Sequence, residues 1–217
     1  MRRCKNFVIP LVIIVALAAG CIKKVDHPSR TDYPRYFPLA EGDQLYYSGP
    51  MGKSVVTGNI NDIFTVTFYD SAGNVTRWED FVKTDRGSAL KNRIYKFPHI
   101  PSAHYEPYLP FTPWSHIMGD TLLFSAMEIR GDTANTHLRL QAEYEIMAVE
   151  PVSTPAGNFD GCIKMRMSFK SLYDSKTVIP DGNSYWWFAK DIGIVKYHTP
   201  AGSGELLKAK IDGRVLP

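Results

Sequence analysis

The feature that most constrains the fold is an alternation of apolar and polar residues that recurs after residue 37. It is clearest in residues 137–149, 162–170 and 64–69. Successive side chains of a β-strand point to opposite faces, so such segments bury one face and hydrate the other. The apolar positions of the two longer runs are Leu138, Leu140, Ala142, Tyr144, Ile146 and Ala148, and Ile163, Met165, Met167 and Phe169. Helical periodicity is scarce, so the sequence predicts an all-β fold.

Turn residues separate these runs at regular intervals. Residues 71–74 (Ser-Ala-Gly-Asn), 85–88 (Asp-Arg-Gly-Ser) and 191–193 (Asp-Ile-Gly) each divide two extended segments, and Thr-Pro-Ala-Gly occurs at 154–157 and 199–202. Glycine, proline, asparagine and aspartate suit tight turns. Short turns between strands predict an antiparallel meander.

Two short segments resemble each other. Residues 42–47 read Gly-Asp-Gln-Leu-Tyr-Tyr, and residues 119–124 read Gly-Asp-Thr-Leu-Leu-Phe. They could mark two related halves of one sheet. Six residues are few, however, and we interpret the likeness as one way of leading a loop into a strand.

Residues 98–118 are rich in proline and aromatic residues, with prolines at 98, 101, 107, 110 and 113. Proline disrupts strand pairing, whereas the aromatic residues have apolar area to bury. We therefore expect an ordered loop that crosses the sheet. His99, His104 and His116 lie in this segment, but they lack cysteine or carboxylate partners at metal-ligand spacing, so we expect surface histidines and no metal.

The first twenty residues have the pattern of a signal peptide. Arg2, Arg3 and Lys5 precede an apolar run that ends in small residues before Cys21, and this run is too short to span a bilayer. Residues 17–21 (Leu-Ala-Ala-Gly-Cys) resemble the lipobox of bacterial lipoproteins, although Ala18 stands where that motif usually has leucine. The alternative is cleavage by the general peptidase, which would leave Cys21 as a free thiol.

The lipobox resemblance implies a definite organisation. Residues 1–20 are expected to be removed, residues 21–36 to form a lipidated N-terminus and tether, and residues 37–217 to form a single β domain. Acyl chains such as palmitate on Cys21 would make the lipid bilayer a partner, since two or more chains hold a protein stably at a membrane. Ile22 gives no aspartate retention signal, so in a Gram-negative host the resemblance implies the outer membrane.

The charge of the chain limits which classes of partner it can bind, and its cysteine content limits what its thiols can do. The whole chain carries 25 basic and 22 acidic residues, and the excess of three is accounted for by Arg2, Arg3 and Lys5 in the signal peptide. The mature chain is therefore neutral overall, which argues against nucleic acid as a partner. Beyond Cys21 the mature chain has one further cysteine, Cys162, which we interpret as a small buried apolar residue.

No catalytic or cofactor signature is recognisable. The sequence has no G-x-S-x-G, H-E-x-x-H, C-x-x-C or phosphate-binding glycine loop. Paired carboxylates at Glu79-Asp80 and at Glu143 and Glu145 are of a kind that strand faces commonly carry. We therefore expect neither an enzyme nor a cofactor.

One strand-like segment is aromatic on both faces. In Tyr185-Trp186-Trp187-Phe188, Trp186 and Phe188 form one set and Tyr185 and Trp187 the other. Either the fold covers both sets, with the proline-rich segment over one of them, or one set lines an apolar ligand groove.

Three segments together resemble a loosely defined group of uncharacterised bacterial envelope proteins, the TapB-like proteins. They are residues 37–47, residues 154–165 with the pattern PAG-x-F-x-x-C, and residues 185–196, an aromatic strand that ends in Gly-Ile-Val-Lys. This chain has Lys190-Asp191 where the group often has a Pro-Gly turn. The resemblance implies a curved antiparallel sheet, half-barrel-like in outline, and implies no activity.

Two functional hypotheses follow. In the first, the lipoprotein binds an apolar ligand, such as a lipid or acyl chain, on the curved sheet. In the second, it is a structural or assembly lipoprotein that docks an envelope protein complex through its sheet edge or loop.

Overall fold

The computed structural model describes residues 36–37, 39–97, 100–131, 136–173, 176–177 and 182–216. The predicted signal peptide, Cys21 and all but the last residue of the predicted tether lie outside the described residues. Within them the strands are β1 (Gln44–Tyr47), β2 (Lys53–Ile60), β3 (Ile63–Tyr69), β4 (Val75–Thr84), β5 (Gly87–Tyr95), β6 (Ala103–Pro110), β7 (Thr121–Arg130), β8 (His137–Thr154), β9 (Gly157–Tyr173), β10 (Lys176–Thr177), β11 (Gly182–Ala189), β12 (Gly193–Thr199), β13 (Gly202–Ile211) and β14 (Arg214–Leu216). A 3-10 helix spans Gly49–Met51.

These strands form one antiparallel sheet in which neighbours along the chain are neighbours in space, except that β11 pairs with β9 and not with β10. The predicted all-β meander is therefore confirmed. The half-barrel outline is corrected, because β1 also pairs with β13, with Gln44 opposite Lys210 and Leu45 opposite Ala209. The sheet thus closes on itself through twelve strands of the described chain, leaving out β10 and β14. Closure pairs two strands that would otherwise be open edges.

The predicted turns are found where the sequence places them. The segment at 71–74 joins β3 to β4, and 85–88 spans the turn from β4 into β5. The two Thr-Pro-Ala-Gly segments join β8 to β9 and β12 to β13. In both, the threonine Oγ1 donates to the glycine carbonyl, Thr154 to Gly157 at 3.5 Å and Thr199 to Gly202 at 3.1 Å.

The Gly-Asp repeat has a common structural cause. Gly42 and Gly119 both have positive φ, at 91° and 87°, a region that glycine enters without steric cost. Gly42 exchanges backbone hydrogen bonds with Val56 through its own N–H and the carbonyl of Asp43, each 2.9 Å. Residues 119 and 120 make the same two bonds with Ile146, at 2.8 and 2.9 Å. The interpretation as a shared route from loop to strand is confirmed.

The proline-rich segment is only partly a loop, which corrects the prediction for residues 98–118. Residues 103–110 form β6, which pairs with both β5 and β7. Its pairing with β7 ends at Glu106, and its pairing with β5 has a gap between His104 and Leu109. Pro107 lies in this gap, where no ladder hydrogen bond is required of it. The remaining part, residues 111–118, does pack across one end of the sheet through Phe111 and Trp114.

The alternation predicted for the long strands is confirmed by burial as far as Ile146 in β8. It is wrong at Ala148, because a bulge after Ile146 places Ala148 opposite the outward-facing Lys164. The inward residues of β8 and β9 lie in the hydrophobic core, among them Leu140, Tyr144, Ile146, Ile163 and Met165. Cys162 is fully buried, as predicted. No helix in the described ranges is long and apolar enough to cross a bilayer.

Candidate functional site

The closed sheet has two chemically different ends. Arg77 lies near the start of β4, Arg93 near the end of β5 and Arg130 at the end of β7. Antiparallel pairing brings these positions to one end of the cylinder, since Glu79 is opposite Arg93, Arg93 opposite Ala103, and Ala103 opposite Arg130. We call this the arginine end.

The opposite end is closed by phenylalanine rings, and we call it the phenylalanine end. Phe37, Phe81 and Phe111 pack pairwise with ring centroids 4.9–5.1 Å apart. Phe111 also meets Phe188 edge-on at 6.3 Å. Ring pairs at these separations add to the stabilisation that burial of their area provides.

A cavity of about 380 Å³ lies inside the closed sheet and reaches from the arginine end to the phenylalanine end. Its volume falls within the range of about 300–1,000 Å³ typical of small-molecule sites. Most of its wall is apolar. The apolar lining includes Phe37, Met51, Phe68, Leu90, Leu109, Phe111, Leu140, Met167, Phe169, Trp186 and Ile194.

The polar part of the wall is centred on the buried carboxylate of Glu79. Its side chain is 2% exposed, and its Oε1 accepts hydrogen bonds from Nε of Arg93 at 2.7 Å and Nε of Arg77 at 2.9 Å. Burial raises the pKa of Glu79, but the two guanidinium groups outweigh burial and hold its pKa below the usual range. Glu79 is therefore ionised at neutral pH.

A second carboxylate, Glu128, stands beside the first group. Its Oε1 accepts a hydrogen bond from Nε of Arg130 at 2.9 Å, and its Oε2 accepts one from Ser171 Oγ at 3.2 Å. Tyr105 lies in the same wall, and burial raises the pKa of its hydroxyl to about 12. The Tyr105 hydroxyl thus stays protonated at neutral pH. The arrangement can bind a ligand that is apolar along its length and polar at one end.

The aromatic residues of β11 lie on both faces of the sheet, two toward the interior and two outside. Trp186 lines the cavity and stacks on Tyr197 at 5.9 Å, whereas Phe188 is fully buried beside Phe111. Tyr185 and Trp187 lie on the outer face. Lys164 covers both of their rings, and the indole Nε1 of Trp187 donates to Glu150 at 2.7 Å. The structure therefore brings one of the four predicted groove residues, Trp186, to the cavity wall, and Phe188 packs behind it.

The remaining candidates have local partners. His104 bonds to Asn92 at 2.6 Å and to Glu106 at 3.0 Å, and His116 bonds to the hydroxyl of Tyr36 at 2.6 Å. His99 lies outside the described residues. In the part of the chain that the structure describes, no cluster of histidine, cysteine, aspartate and glutamate could hold a metal ion.

Sequence reasoning missed the charged residues of the cavity. The sequence pattern that could have identified them is a pair of opposite charges two residues apart. It occurs as Arg77 with Glu79 and as Glu128 with Arg130. Residues two apart on a strand share a face, and Phe81 and Ala126 continue these faces into the apolar interior. Charged pairs at the end of an apolar strand face therefore indicate a polar group at one end of a closed sheet.

Comparisons with known proteins find distant likenesses. No protein-family model and no curated protein matches the chain. Among solved structures, a candidate lipoprotein from Parabacteroides distasonis is 16% identical, with a TM-score of 0.43 over 82% of this chain and 100% of that one. A candidate exported protein with a YmcC-like fold from Bacteroides fragilis is 18% identical, with a TM-score of 0.36 over 80% of this chain and 98% of that one.

Proposed function

We propose that this chain is an envelope lipoprotein, anchored through acyl chains on Cys21, whose β domain binds an apolar ligand inside its closed sheet. We further propose three features of this lipoprotein: a relationship to the TapB-like proteins, palmitate on Cys21 and location in the outer membrane. Residues 17–22 and the three segments named above support them.

The observation that carries the binding function is the cavity of about 380 Å³. A protein interior is normally close-packed, with few voids larger than a water molecule. An apolar space of this size, with polar groups at one end, is the usual form of a ligand site. The proposed ligand is therefore a lipid or acyl chain held within the sheet.

Native mass spectrometry of the mature domain purified from cells tests ligand binding. We expect a co-purified ligand mass that organic extraction removes. Ala103 lines the cavity, so an Ala103→Phe variant should fill part of the space and lose the ligand. Ala201 is exposed in the turn between β12 and β13, and Ala201→Phe is the matched control that should retain it. A ligand-free mass for the wild-type domain would contradict the proposal.

Growth with labelled palmitate tests the anchor. The wild-type protein and a Cys162→Ala variant should both carry label and sediment with membranes, since Cys162 is buried within the fold. A Cys21→Ala variant should carry none and remain in the supernatant. Labelling that survives Cys21→Ala would overturn the anchor.

Closure of the sheet argues against one form of the alternative function, in which an assembly lipoprotein docks through a sheet edge. Since β1 pairs with β13, neither of these strands offers its backbone to another chain. Docking would then have to use the short strands β10 or β14, which each pair with one strand of the described chain, the outer face or a loop. We therefore favour the binding function.

A further inference from the structure

We infer that the cavity accepts a single-chain amphiphile whose anionic head group, a carboxylate or a phosphate, is bound by Arg77, Arg93 and Arg130 at the arginine end. This inference rests on the proposed binding function and assigns its ligand class. The chain of the amphiphile would lie in the apolar part of the cavity and point toward the phenylalanine end.

The three guanidinium groups share one geometry. Each of them uses its Nε–H to bind a glutamate of the cavity wall, at 2.7–2.9 Å. Arginine carries five N–H donors in a planar fork. No residue in the described ranges accepts a hydrogen bond from the terminal Nη groups of these three arginines. The glutamates therefore fix the orientation of the guanidinium planes and leave the Nη donors available to a ligand.

The charges of the cavity wall also favour an anion. Among the described residues, its acidic groups are Glu79 and Glu128, and its basic groups are Arg77, Arg93 and Arg130. This wall carries a net charge of +1 within an otherwise apolar surface. If the arginines served only to neutralise the two carboxylates, one guanidinium would be in excess. An anionic head group would balance the site.

The three guanidinium groups are also accessible to a ligand. The side chains of Arg77, Arg93 and Arg130 are 26%, 30% and 22% exposed, whereas the carboxylates they bind are 2% and 9% exposed. The guanidinium groups thus lie between the interior and the solvent. A head group bound there would keep part of its hydration while its chain is buried, which is the arrangement an amphiphile prefers. Bidentate pairing with arginine suits both carboxylate and phosphate oxygens.

The test compares ligands that share one chain and differ in the head group. Isothermal titration calorimetry measures binding of dodecanoate, dodecyl phosphate, dodecanol and dodecylammonium to the delipidated mature domain, below the micelle-forming concentration of each. We expect both anions to bind more tightly than dodecanol by about 10- to 100-fold, the range for hydrogen bonds to charged groups. Dodecylammonium should bind more weakly than dodecanol. Acetate and inorganic phosphate, which lack the chain, should show no measurable binding.

Variants connect the preference to the arginines. Arg130→Gln removes one positive charge and should reduce dodecanoate affinity by about 10-fold while leaving dodecanol affinity unchanged. Glu128→Gln removes a negative charge, while its amide oxygen can still accept from Arg130 and its amide NH2 can donate to the Ser171 hydroxyl. It should therefore bind dodecanoate more tightly. Arg166→Gln is the matched control, because Arg166 is 25% exposed and ion-paired with Glu143 and Glu145 on the outer face of the sheet. It should bind like the wild type. Circular dichroism confirms that each variant is folded.

The outcomes separate the two proposals. Equal affinities for dodecanoate and dodecanol, unaffected by Arg130→Gln, would overturn the head-group inference and leave the cavity function standing. Absence of binding for all four dodecyl compounds would overturn the cavity function itself. Binding of inorganic phosphate as tight as that of dodecyl phosphate would show a site for free anions and would also overturn the inference.

Discussion

At the scale of single residues, the buried carboxylate of Glu79 depends on its hydrogen-bond partners for its stability. A charge that is 2% exposed loses most of its hydration, which costs several kcal/mol unless partners compensate. Arg77 and Arg93 supply two charge-assisted hydrogen bonds to one oxygen. The ionised carboxylate is therefore stable only together with the guanidinium groups of the arginine end.

The lowered pKa of Glu79 predicts a pH dependence of stability. The unfolded chain binds a proton at this carboxylate near pH 4.3, whereas the folded protein does so only at lower pH. The stabilisation is thus fully present above the unfolded pKa and is lost as the pH falls through the folded pKa. Urea unfolding from pH 7 to pH 3 should show the wild type losing stability relative to Glu79→Gln below about pH 4.3. Parallel profiles of the two proteins would contradict this.

Removal of the Arg93 guanidinium should also lower the stability of the folded protein. We expect Arg93→Gln to lower the free energy of unfolding by about 3 kcal/mol, the lower limit for breaking a buried ion pair, because the guanidinium is partly exposed. The outer-face variant Arg166→Gln should cost less, because its partners Glu143 and Glu145 are 44% and 29% exposed and stay hydrated without it. Urea titration at pH 7 measures both. Equal losses would show that Glu79 does not depend on its partners.

The burial of Cys162 predicts that its thiol is unreactive. Burial raises its pKa to about 11, and its Sγ donates to the carbonyl of Phe159 at 3.3 Å. The thiolate is the reactive form, so iodoacetamide at pH 8 should label the folded Cys21→Ala domain far more slowly than the same domain in urea. Equal labelling rates would contradict the burial of this residue.

At the scale of elements, the pairing of β1 with β13 closes the sheet, and we call it the seam. The seam requires a glycine at position 204. A Cβ on Gly204 would collide with the carbonyl oxygen of Ser48 and lie 2.5 Å from the hydroxyl of Tyr197. That hydroxyl donates to Ser48 O at 3.1 Å and accepts from Met51 N at 3.0 Å. The close approach of β13 to the segment after β1 therefore requires a residue without a side chain.

This seam gives a matched pair of alanine substitutions. Gly204→Ala should lower the free energy of unfolding by about 1–3 kcal/mol, as overpacking usually does. Gly58→Ala is the control in β2, since a Cβ there meets nothing within 4 Å. It should be neutral, or stabilising by up to about 1 kcal/mol because the unfolded chain loses entropy. Thermal unfolding followed by circular dichroism compares them. Equal effects would show that the seam tolerates a side chain.

The elements also show how far local sequence reasoning reaches. Strand faces and turns depend on residues close in sequence, and the segment at 154–157 was predictable for that reason. β6 was not, because proline content is only a statistical argument against a strand. Pro107 is accommodated by a gap in pairing that its neighbours β5 and β7 create, and neighbours of this kind cannot be read from the segment itself.

At the scale of the whole molecule, closure and the cavity were beyond the sequence. The pairing of Leu45 with Ala209 joins the two ends of the domain, and no local pattern specifies it. Trp186 was a candidate from its own strand, but Arg93 and Arg130 become one group only when β5, β6 and β7 are adjacent. The cavity residues are therefore a product of topology.

Ligand binding should stabilise the entire domain. A ligand that binds only the folded state at 100 times its dissociation constant adds about 2.7 kcal/mol to the free energy of unfolding. For a domain of this size, that corresponds to a rise in Tm of about 5–10 °C. Differential scanning calorimetry with dodecanoate should show this rise for Ala201→Phe and a much smaller one for Ala103→Phe. An equal rise in both variants would place binding outside the cavity.

A crystal structure of the mature domain with 11-bromoundecanoate tests whether a chain-bearing ligand lies inside the closed sheet, because anomalous scattering locates the bromine atom. We predict a bromine peak inside the sheet near Leu109 and Phe111, with carboxylate density beside Arg93 or Arg130. A bromine peak confined to the outer surface, with an empty interior, would contradict the account.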